Sequence, residues 1–116
     1  MKRGDVILVR FPHPSGQRGK KRPAVIVQSD VYAGTVSTLV VAEITKNLTM
    51  AGDPACLLIE ISTPDGKATG LVRDSVVSCL LLVTVYADTV AQVLGSLSPP
   101  LVQNLNECLK AGLALA

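Results

Sequence analysis

The sequence is poor in aromatic residues, cysteine and histidine. Among its 116 residues the aromatic side chains are Phe11, Tyr32 and Tyr86, and there is no tryptophan. The three cysteines are odd in number and form no close pair, which argues against a disulfide framework and against a cysteine-rich zinc site. His13 is the single histidine. A nuclease site built on two histidines of one chain is therefore excluded.

Long hydrophobic runs are also missing. The longest apolar stretch, residues 76–86, is too short to span a bilayer and contains Ser78 and Thr84. The first five residues lead straight into a strand-like run, whereas a secretory signal peptide needs an uninterrupted apolar region. We therefore expect a cytoplasmic protein that does not contact membranes.

The composition predicts one globular domain over residues 1–116. Hydrophobic residues make up 48% of the chain and charged residues 17%, so Val, Leu and Ile must fill the interior. The net charge of +2 is unevenly distributed: residues 1–22 hold seven bases and one acid, and the remainder holds four bases and eight acids. This asymmetry indicates a basic face for nucleic acid or an acidic protein segment, although a solvated basic loop is equally compatible.

Five runs rich in Val, Ile and Leu predict β-strands. They cover residues 5–11, 23–28, 38–45, 56–61 and 76–85. Several are apolar on both faces, so the sheet must curl into a barrel or be covered on both sides. Turns are predicted at residues 51–54 and 63–66, the second with Pro64 fixing φ and Gly66 accepting a positive φ. Most strands should therefore be antiparallel neighbours.

The hydrophobic period changes near the end of the chain. Leu101, Leu105, Cys108, Leu109 and Leu113 recur at intervals of three and four residues, which predicts a helix from about residue 99 to 113. Ser98 and the proline after it are typical of an N-cap and a first helical turn. Residues 87–97 are compatible with a short strand or a helix. The predicted fold is mainly β, with a curved antiparallel sheet and a C-terminal helix.

Residues 12–22 form a polar segment longer than a hairpin requires, and such loops often bind ligands. Its glycines do not make a phosphate-binding P-loop, because a strand follows where a helix N-terminus would be needed. Arg22 stands at the rigid edge formed by Pro23 and the next strand. A guanidinium fixed in this way can bind two phosphate oxygens.

Two other polar positions interrupt apolar runs. Thr45 ends a predicted strand, where threonine is an ordinary residue. Arg73, Asp74 and Ser75 separate two apolar segments, and their spacing alone favours a solvated turn over a chemical role. The cysteines lie within apolar runs, where a nucleophilic thiolate would be disfavoured.

Five segments resemble the MazF/PemK family of toxin endoribonucleases. They are Lys2-Arg3-Gly4-Asp5-Val6-Ile7-Leu8-Val9, Lys21-Arg22-Pro23-Ala24-Val25-Ile26-Val27-Gln28-Ser29-Asp30, Val41-Ala42-Glu43-Ile44-Thr45, Thr69-Gly70-Leu71-Val72-Arg73-Asp74-Ser75-Val76-Val77 and Leu94-Gly95-Ser96-Leu97-Ser98. Each is weakly specific, but their order and spacing agree over nearly the whole chain. The resemblance implies an SH3-like curved sheet of the PemK/CcdB type and a homodimer whose groove binds single-stranded RNA.

The resemblance also implies a sequence-specific, metal-independent reaction that needs no cofactor. In it the ribose 2′-OH attacks the adjacent phosphorus and leaves 2′,3′-cyclic phosphate and 5′-OH ends. Arg22 and Thr45 match the core of the family's site, and Arg22 suits stabilisation of the charged phosphorane. An acidic antitoxin segment is expected to occupy the same basic surface.

This chain departs from the family pattern at Gln17, where many relatives carry an acidic residue, and a glutamine cannot act as a base. Our hypothesis is that Asp74 or a water-mediated group is the base and that Arg73 is a second phosphate clamp. The remaining candidate RNA contacts are Ser15, Gln17, Arg18, Lys20, Lys21, Gln28 and Ser75.

Two other functions are compatible with the same fold. One is a non-enzymatic inhibitor of DNA gyrase resembling CcdB, which is thought to act through a C-terminal aromatic residue. This chain ends Leu113-Ala114-Leu115-Ala116, and that ending favours the nuclease. The other is a catalytically impaired RNA-binding relative, which Gln17 keeps open.

Overall fold

A computed structural model describes residues 1–11 and 19–116 of the chain. Ser15, Gln17 and Arg18, predicted to contact RNA, lie outside the described residues, as does His13. Six strands are formed within these ranges: β1 (Asp5–Arg10), β2 (Lys21–Ile26), β3 (Thr38–Thr45), β4 (Cys56–Ile59), β5 (Ser75–Tyr86) and β6 (Val90–Ser96). The α-helices are α1 (Pro64–Ala68) and α2 (Pro99–Leu113), and short 3-10 helices cover Asp30–Tyr32 and Ala87–Thr89.

The strands form one antiparallel sheet in the order β4-β5-β3-β2-β1-β6. The long strand β5 pairs with β3 along most of its length and with β4 near its start. Its pairing with β3 is interrupted by a bulge, because Ala42 lies opposite Leu82 while Glu43 lies opposite Ser78. Bulges increase strand twist, which helps a small sheet to curve. The predicted fold, a curved antiparallel sheet with a C-terminal helix, is confirmed.

Apolar side chains are buried on both faces of the sheet, as the two-sided strands predicted. One cluster includes Val6, Val25, Ala42 and Val77 and is covered by α2, which packs against β4 and β5 and contributes Leu105. The second cluster, on the opposite face, is formed by Ile7, Val9, Phe11, Ala24, Ile26, Val41 and Val85. Side chains alternate between the faces along each strand. This alternation decides which polar residues share a surface.

The predicted turn at residues 63–66 is instead the start of helix α1. Thr63 is the N-cap, and its Oγ1 accepts a hydrogen bond from the Gly66 backbone N–H at 3.0 Å. Gly66 does not have a positive φ, so that expectation was wrong. A Cβ atom at this position would lie 1.9 Å from the carbonyl oxygen of Glu60. Glycine is required here for close backbone contact.

The ambiguous segment 87–97 contains an edge strand, β6, which pairs with β1. The predicted C-terminal helix is confirmed as α2. Ser98 occupies its N-cap, but the side chain makes no capping hydrogen bond, contrary to the sequence prediction. Within residues 1–11 and 19–116, neither α-helix is both long and apolar enough to cross a membrane.

Candidate functional site

A cleft of about 680 Å³ opens where β2, β3 and the start of β5 meet. Of the residues that the structure describes, four basic ones line it, together with one acidic residue, two hydroxyl-bearing residues and five apolar residues. The polar lining residues are Lys20, Arg22, Glu43, Thr45, Lys46, Arg73 and Ser75. The apolar ones are Pro23, Ile44, Leu71, Val72 and Leu81. This surface combines positive charge with groups that can donate hydrogen bonds to an anion.

Arg22 and Thr45 are brought together by the register of β2 and β3. Ala24 lies opposite Glu43, and carrying this register two residues further places Arg22 across from Thr45. Arg22 lies on the same face as the buried Ala24, but at the outer end of the strand, where 59% of its side chain is exposed. The guanidinium is therefore anchored by a core strand and open to a ligand.

Glu43 is a site residue that the sequence analysis did not single out. Its Oε1 lies 3.8 Å from Nη1 of Arg22, and 22% of its side chain is exposed. The two groups form an ion pair at a distance too long for a direct hydrogen bond. Glu43 precedes Thr45 by two residues on β3, so both face the same side. The two-residue spacing of Glu43 and Thr45 was the available signal in the sequence. It places Glu43 near Arg22 only when β2 and β3 are known to be neighbouring strands.

The Thr45 hydroxyl is oriented by the backbone that follows it. Its Oγ1 accepts a hydrogen bond from the Asn47 N–H at 3.1 Å, which leaves the hydroxyl proton to be donated. Thr45 pairs with Val76, next to Ser75 at the start of β5. The buried Ser75 donates its own proton to the carbonyl oxygen of Arg73 at 2.9 Å. Ser75 thus shapes the segment that carries Arg73.

Arg73 and Asp74, predicted to act together, point to different places. Arg73 is exposed and lines the cleft, whereas Asp74 is not among the lining residues. Asp74 Oδ1 instead accepts a hydrogen bond from the backbone N–H of Ile61 at 2.9 Å. Arg73 therefore lines the same cleft as Arg22 and Thr45, whereas Asp74 contacts the segment after β4.

Of the other described residues predicted to contact RNA, some line the cleft and some do not. Lys20 lines the cleft, while Lys21 is exposed at the start of β2 without lining it. Gln28 lies beyond β2, where its Nε2 donates to the carbonyl of Thr38 at 3.1 Å and its Oε1 accepts from the N–H of Val40 at 3.2 Å. The Gln28 amide thus joins two backbone segments away from the cleft.

The three cysteines are buried, and none forms a disulfide. Burial raises the pKa of the Cys79 thiol to about 12, and the nearby Cys108 and Cys56 add to the effect. Burial also raises the pKa of Cys108. A nucleophilic thiolate is disfavoured at these positions. Among the residues that the structure describes, no three His, Cys, Asp or Glu side chains are grouped as a metal site would need.

The family model for PemK-like, MazF-like toxins of type II toxin-antitoxin systems matches residues 2–113. The chain belongs to this family. It is 30% identical over 115 residues to the endoribonuclease MazF6 of Mycobacterium tuberculosis, covering 97% of this chain and 96% of that relative. It is 28% identical over 116 residues to the endoribonuclease EndoA of Bacillus subtilis, covering 99% and 96%.

Solved structures of MazF proteins share the fold. The Mycobacterium tuberculosis toxin MazF-mt6 superposes with a TM-score of 0.76 at 20% identity, covering 97% of this chain and 98% of the toxin. A mycobacterial endoribonuclease in complex with its cognate antitoxin gives a TM-score of 0.78 at 19% identity, covering 100% and 97%. Membership of the MazF/PemK family favours the nuclease over the gyrase inhibitor of CcdB type.

Proposed function

We propose that this chain is the toxin of a type II toxin-antitoxin system and cleaves single-stranded RNA as a sequence-specific, metal-independent homodimer. The observation that carries the proposal is the cleft that Arg22 and Thr45 line together with Lys20, Lys46 and Arg73. RNA presents a phosphate at every nucleotide, and a groove lined by cations can follow that backbone. The curated relatives named above are endoribonucleases.

The reaction is an attack of the ribose 2′-oxygen on the adjacent phosphorus. The bond from phosphorus to the 5′-oxygen breaks, and the products carry 2′,3′-cyclic phosphate and 5′-OH ends. Arg22 stabilises the charge that develops on the phosphorane, because an exposed guanidinium can bind two phosphate oxygens at once. Thr45 donates its hydroxyl proton to a phosphate oxygen, since the backbone of Asn47 holds Oγ1 in place.

Arg73 acts as the second phosphate clamp, and Lys20 contacts the RNA backbone. Ser75 supports the RNA site by holding the carbonyl group of Arg73. Lys21 and Gln28 stay predicted RNA contacts, as do Ser15, Gln17 and Arg18, which lie outside the described residues. The sequence predicts Asp74 or a water-mediated group as the proton acceptor, and one Asp74 oxygen already accepts the N–H of Ile61.

The same basic cleft suits an acidic segment of an antitoxin, which would compete with RNA for Arg22 and its neighbours. Two structural neighbours are complexes: a mycobacterial endoribonuclease with its cognate antitoxin and the MazE-MazF complex of Deinococcus radiodurans. The Deinococcus complex gives a TM-score of 0.76 at 16% identity and covers 100% of this chain and 98% of that one. We place the activity in the cytoplasm, where both RNA and the antitoxin are made.

The test is cleavage of a long single-stranded RNA in EDTA by the parent protein and by Arg22→Ala. Discrete cuts with cyclic phosphate and 5′-OH ends are expected for the parent, with a loss of about 10²- to 10³-fold in Arg22→Ala. Lys67→Ala is the matched control, because Lys67 is exposed on α1 and does not line the cleft. If the folded parent binds RNA but does not cut it, the chain is an impaired relative. If it neither binds nor cuts RNA, a gyrase supercoiling assay tests the CcdB-type function.

A further inference from the structure

The proposed reaction needs a group that takes the proton from the 2′-OH as the oxygen attacks phosphorus. Gln17 cannot take it, because an amide is not a base at neutral pH. Among the described residues that line the cleft, Glu43 is the one carboxylate.

Glu43 is positioned by the same strands that hold the two core residues of the site. It lies two residues before Thr45 on β3 and opposite Ala24 on β2, so its side chain leaves the sheet on the face that carries Arg22. The carboxylate approaches the Arg22 guanidinium to 3.8 Å. A phosphate bound by Arg22 and Thr45 would therefore lie beside Glu43.

The charges around Glu43 argue against a role in RNA binding alone. The other charged residues of the cleft, within the described part of the chain, are all basic: Lys20, Arg22, Lys46 and Arg73. A carboxylate among them weakens the attraction for RNA, since it repels every phosphate that enters. Binding alone would be stronger with a neutral side chain at this position. A carboxylate does, however, provide a proton acceptor.

The geometry leaves the Glu43 carboxylate able to accept a proton. At 3.8 Å the Arg22 ion pair is not a direct hydrogen bond, so the carboxylate oxygens can still receive the hydrogen bond of an incoming hydroxyl. The side chain is 22% exposed, which lets a substrate reach it. Asp74, by comparison, does not line the cleft and is engaged by Ile61.

We propose that Glu43 is the catalytic base, an assignment that rests on the nuclease function proposed above. The 2′-OH proton passes to the Glu43 carboxylate while O2′ forms its bond to phosphorus and the bond from phosphorus to O5′ breaks. The departing O5′ takes a proton from a water molecule. The resulting hydroxide takes the proton from Glu43, which restores the carboxylate.

The experiment compares Glu43→Gln with Glu107→Gln. Glutamine matches glutamate in size but cannot accept the proton, and Glu107 is an exposed glutamate on α2. Cleavage of a short RNA is followed in EDTA as a function of pH. We expect kcat/KM to fall by about 10²-fold or more in Glu43→Gln, the low end of what general base catalysis contributes. The acidic limb of its pH profile should disappear, and Glu107→Gln should behave as the parent.

Three further measurements separate a base from a residue that only positions Arg22. Binding of an RNA with a 2′-deoxyribose at the cut site should be unchanged or tighter in Glu43→Gln. Replacing the leaving 5′-oxygen by sulfur should not rescue this variant, because the defect lies in the attacking group. Glu43→Asp, which keeps the carboxylate, should retain the acidic limb and part of the rate.

The assignment is overturned if Glu43→Gln cleaves within about threefold of the parent, or if it is slow but keeps the acidic limb. It is also overturned if the acidic limb of the pH profile disappears in Asp74→Asn but remains in Glu43→Gln. These results would leave the nuclease function intact, provided that the parent cuts RNA and Arg22→Ala does not. A parent that cuts no RNA would overturn both proposals.

Discussion

The backbone at Gly95 lies directly against the carbonyl group of Ala68, so that a Cβ atom at position 95 would be 2.3 Å from that oxygen. The contact joins β6 to the end of α1. Gly70 takes part in the same crossing, because it has a φ of +75° and a Cβ there would lie 2.1 Å from the carbonyl oxygen of Leu94. The segment that continues from Gly70 carries Arg73, so this crossing helps to place a cation of the cleft.

We predict that Gly95→Ala destabilises the protein, because the three atoms nearest to the added methyl group are backbone atoms of Ala68 and Thr69 that cannot move aside cheaply. Overpacking of this kind costs about 1–3 kcal/mol. Gly52→Ala is the control, since a Cβ at position 52 would have no atom of the described residues within 4 Å. Urea unfolding of the three proteins measures the difference. Equal midpoints for Gly95→Ala and Gly52→Ala would contradict the close crossing.

The two helix N-caps should respond differently to alanine. Thr63 Oγ1 accepts from the Gly66 N–H at 3.0 Å and donates to the Glu60 carbonyl at 2.7 Å, so Thr63→Ala should cost about 1 kcal/mol. The buried Oγ of Ser98 has no hydrogen-bond partner within the described residues. Ser98→Ala should therefore be neutral or slightly stabilising, because it removes a buried polar atom without breaking a bond. Thermal unfolding of both variants tests this contrast.

The strands and helix α2 could be predicted from the sequence because their signals are local. Apolar runs of four to eight residues predict strands, and a period near 3.6 predicts a helix. Arg22 was found because Pro23 fixes the edge of a strand. The bulge within β5 could not be found in this way, since residues 76–85 read as one continuous apolar run. Its location depends on how β5 pairs with β3.

The site was harder to predict because it depends on side-chain direction and strand order. Arg73 and Asp74 are adjacent in the sequence, which suggested a shared site. Only the fold shows that Arg73 lines the cleft and that Asp74 binds the backbone of Ile61. Glu43 was missed because its partner, Arg22, is on another strand. Gln28 stays a predicted RNA contact, and only the fold shows that its amide also joins two backbone segments. These positions depend on which strands pair across the sheet, and local sequence patterns do not specify that pairing.

The buried thiols give the stability a dependence on pH. Burial raises the pKa of Cys79 from 9.0 to about 12, so the folded protein keeps a proton that the unfolded chain releases. The free energy of unfolding should therefore be independent of this thiol below about pH 9 and should fall as pH rises from there towards 12. Urea unfolding over this range, compared with Cys79→Val, isolates the effect. The variant should lose less stability than the parent, and parallel curves would contradict the prediction.

RNA binding by the cleft should depend on salt through its basic residues. Arg73 and Lys46 line the cleft, so replacing either by alanine should weaken binding of a non-cleavable single-stranded RNA and reduce the slope of log K against log salt by about 0.7. Lys110→Ala is the control, because Lys110 is on α2 and pairs with Glu107 at 3.3 Å. Fluorescence anisotropy at several salt concentrations gives the slopes. If Lys110→Ala changes the slope as much as Arg73→Ala does, the RNA path does not follow the cleft.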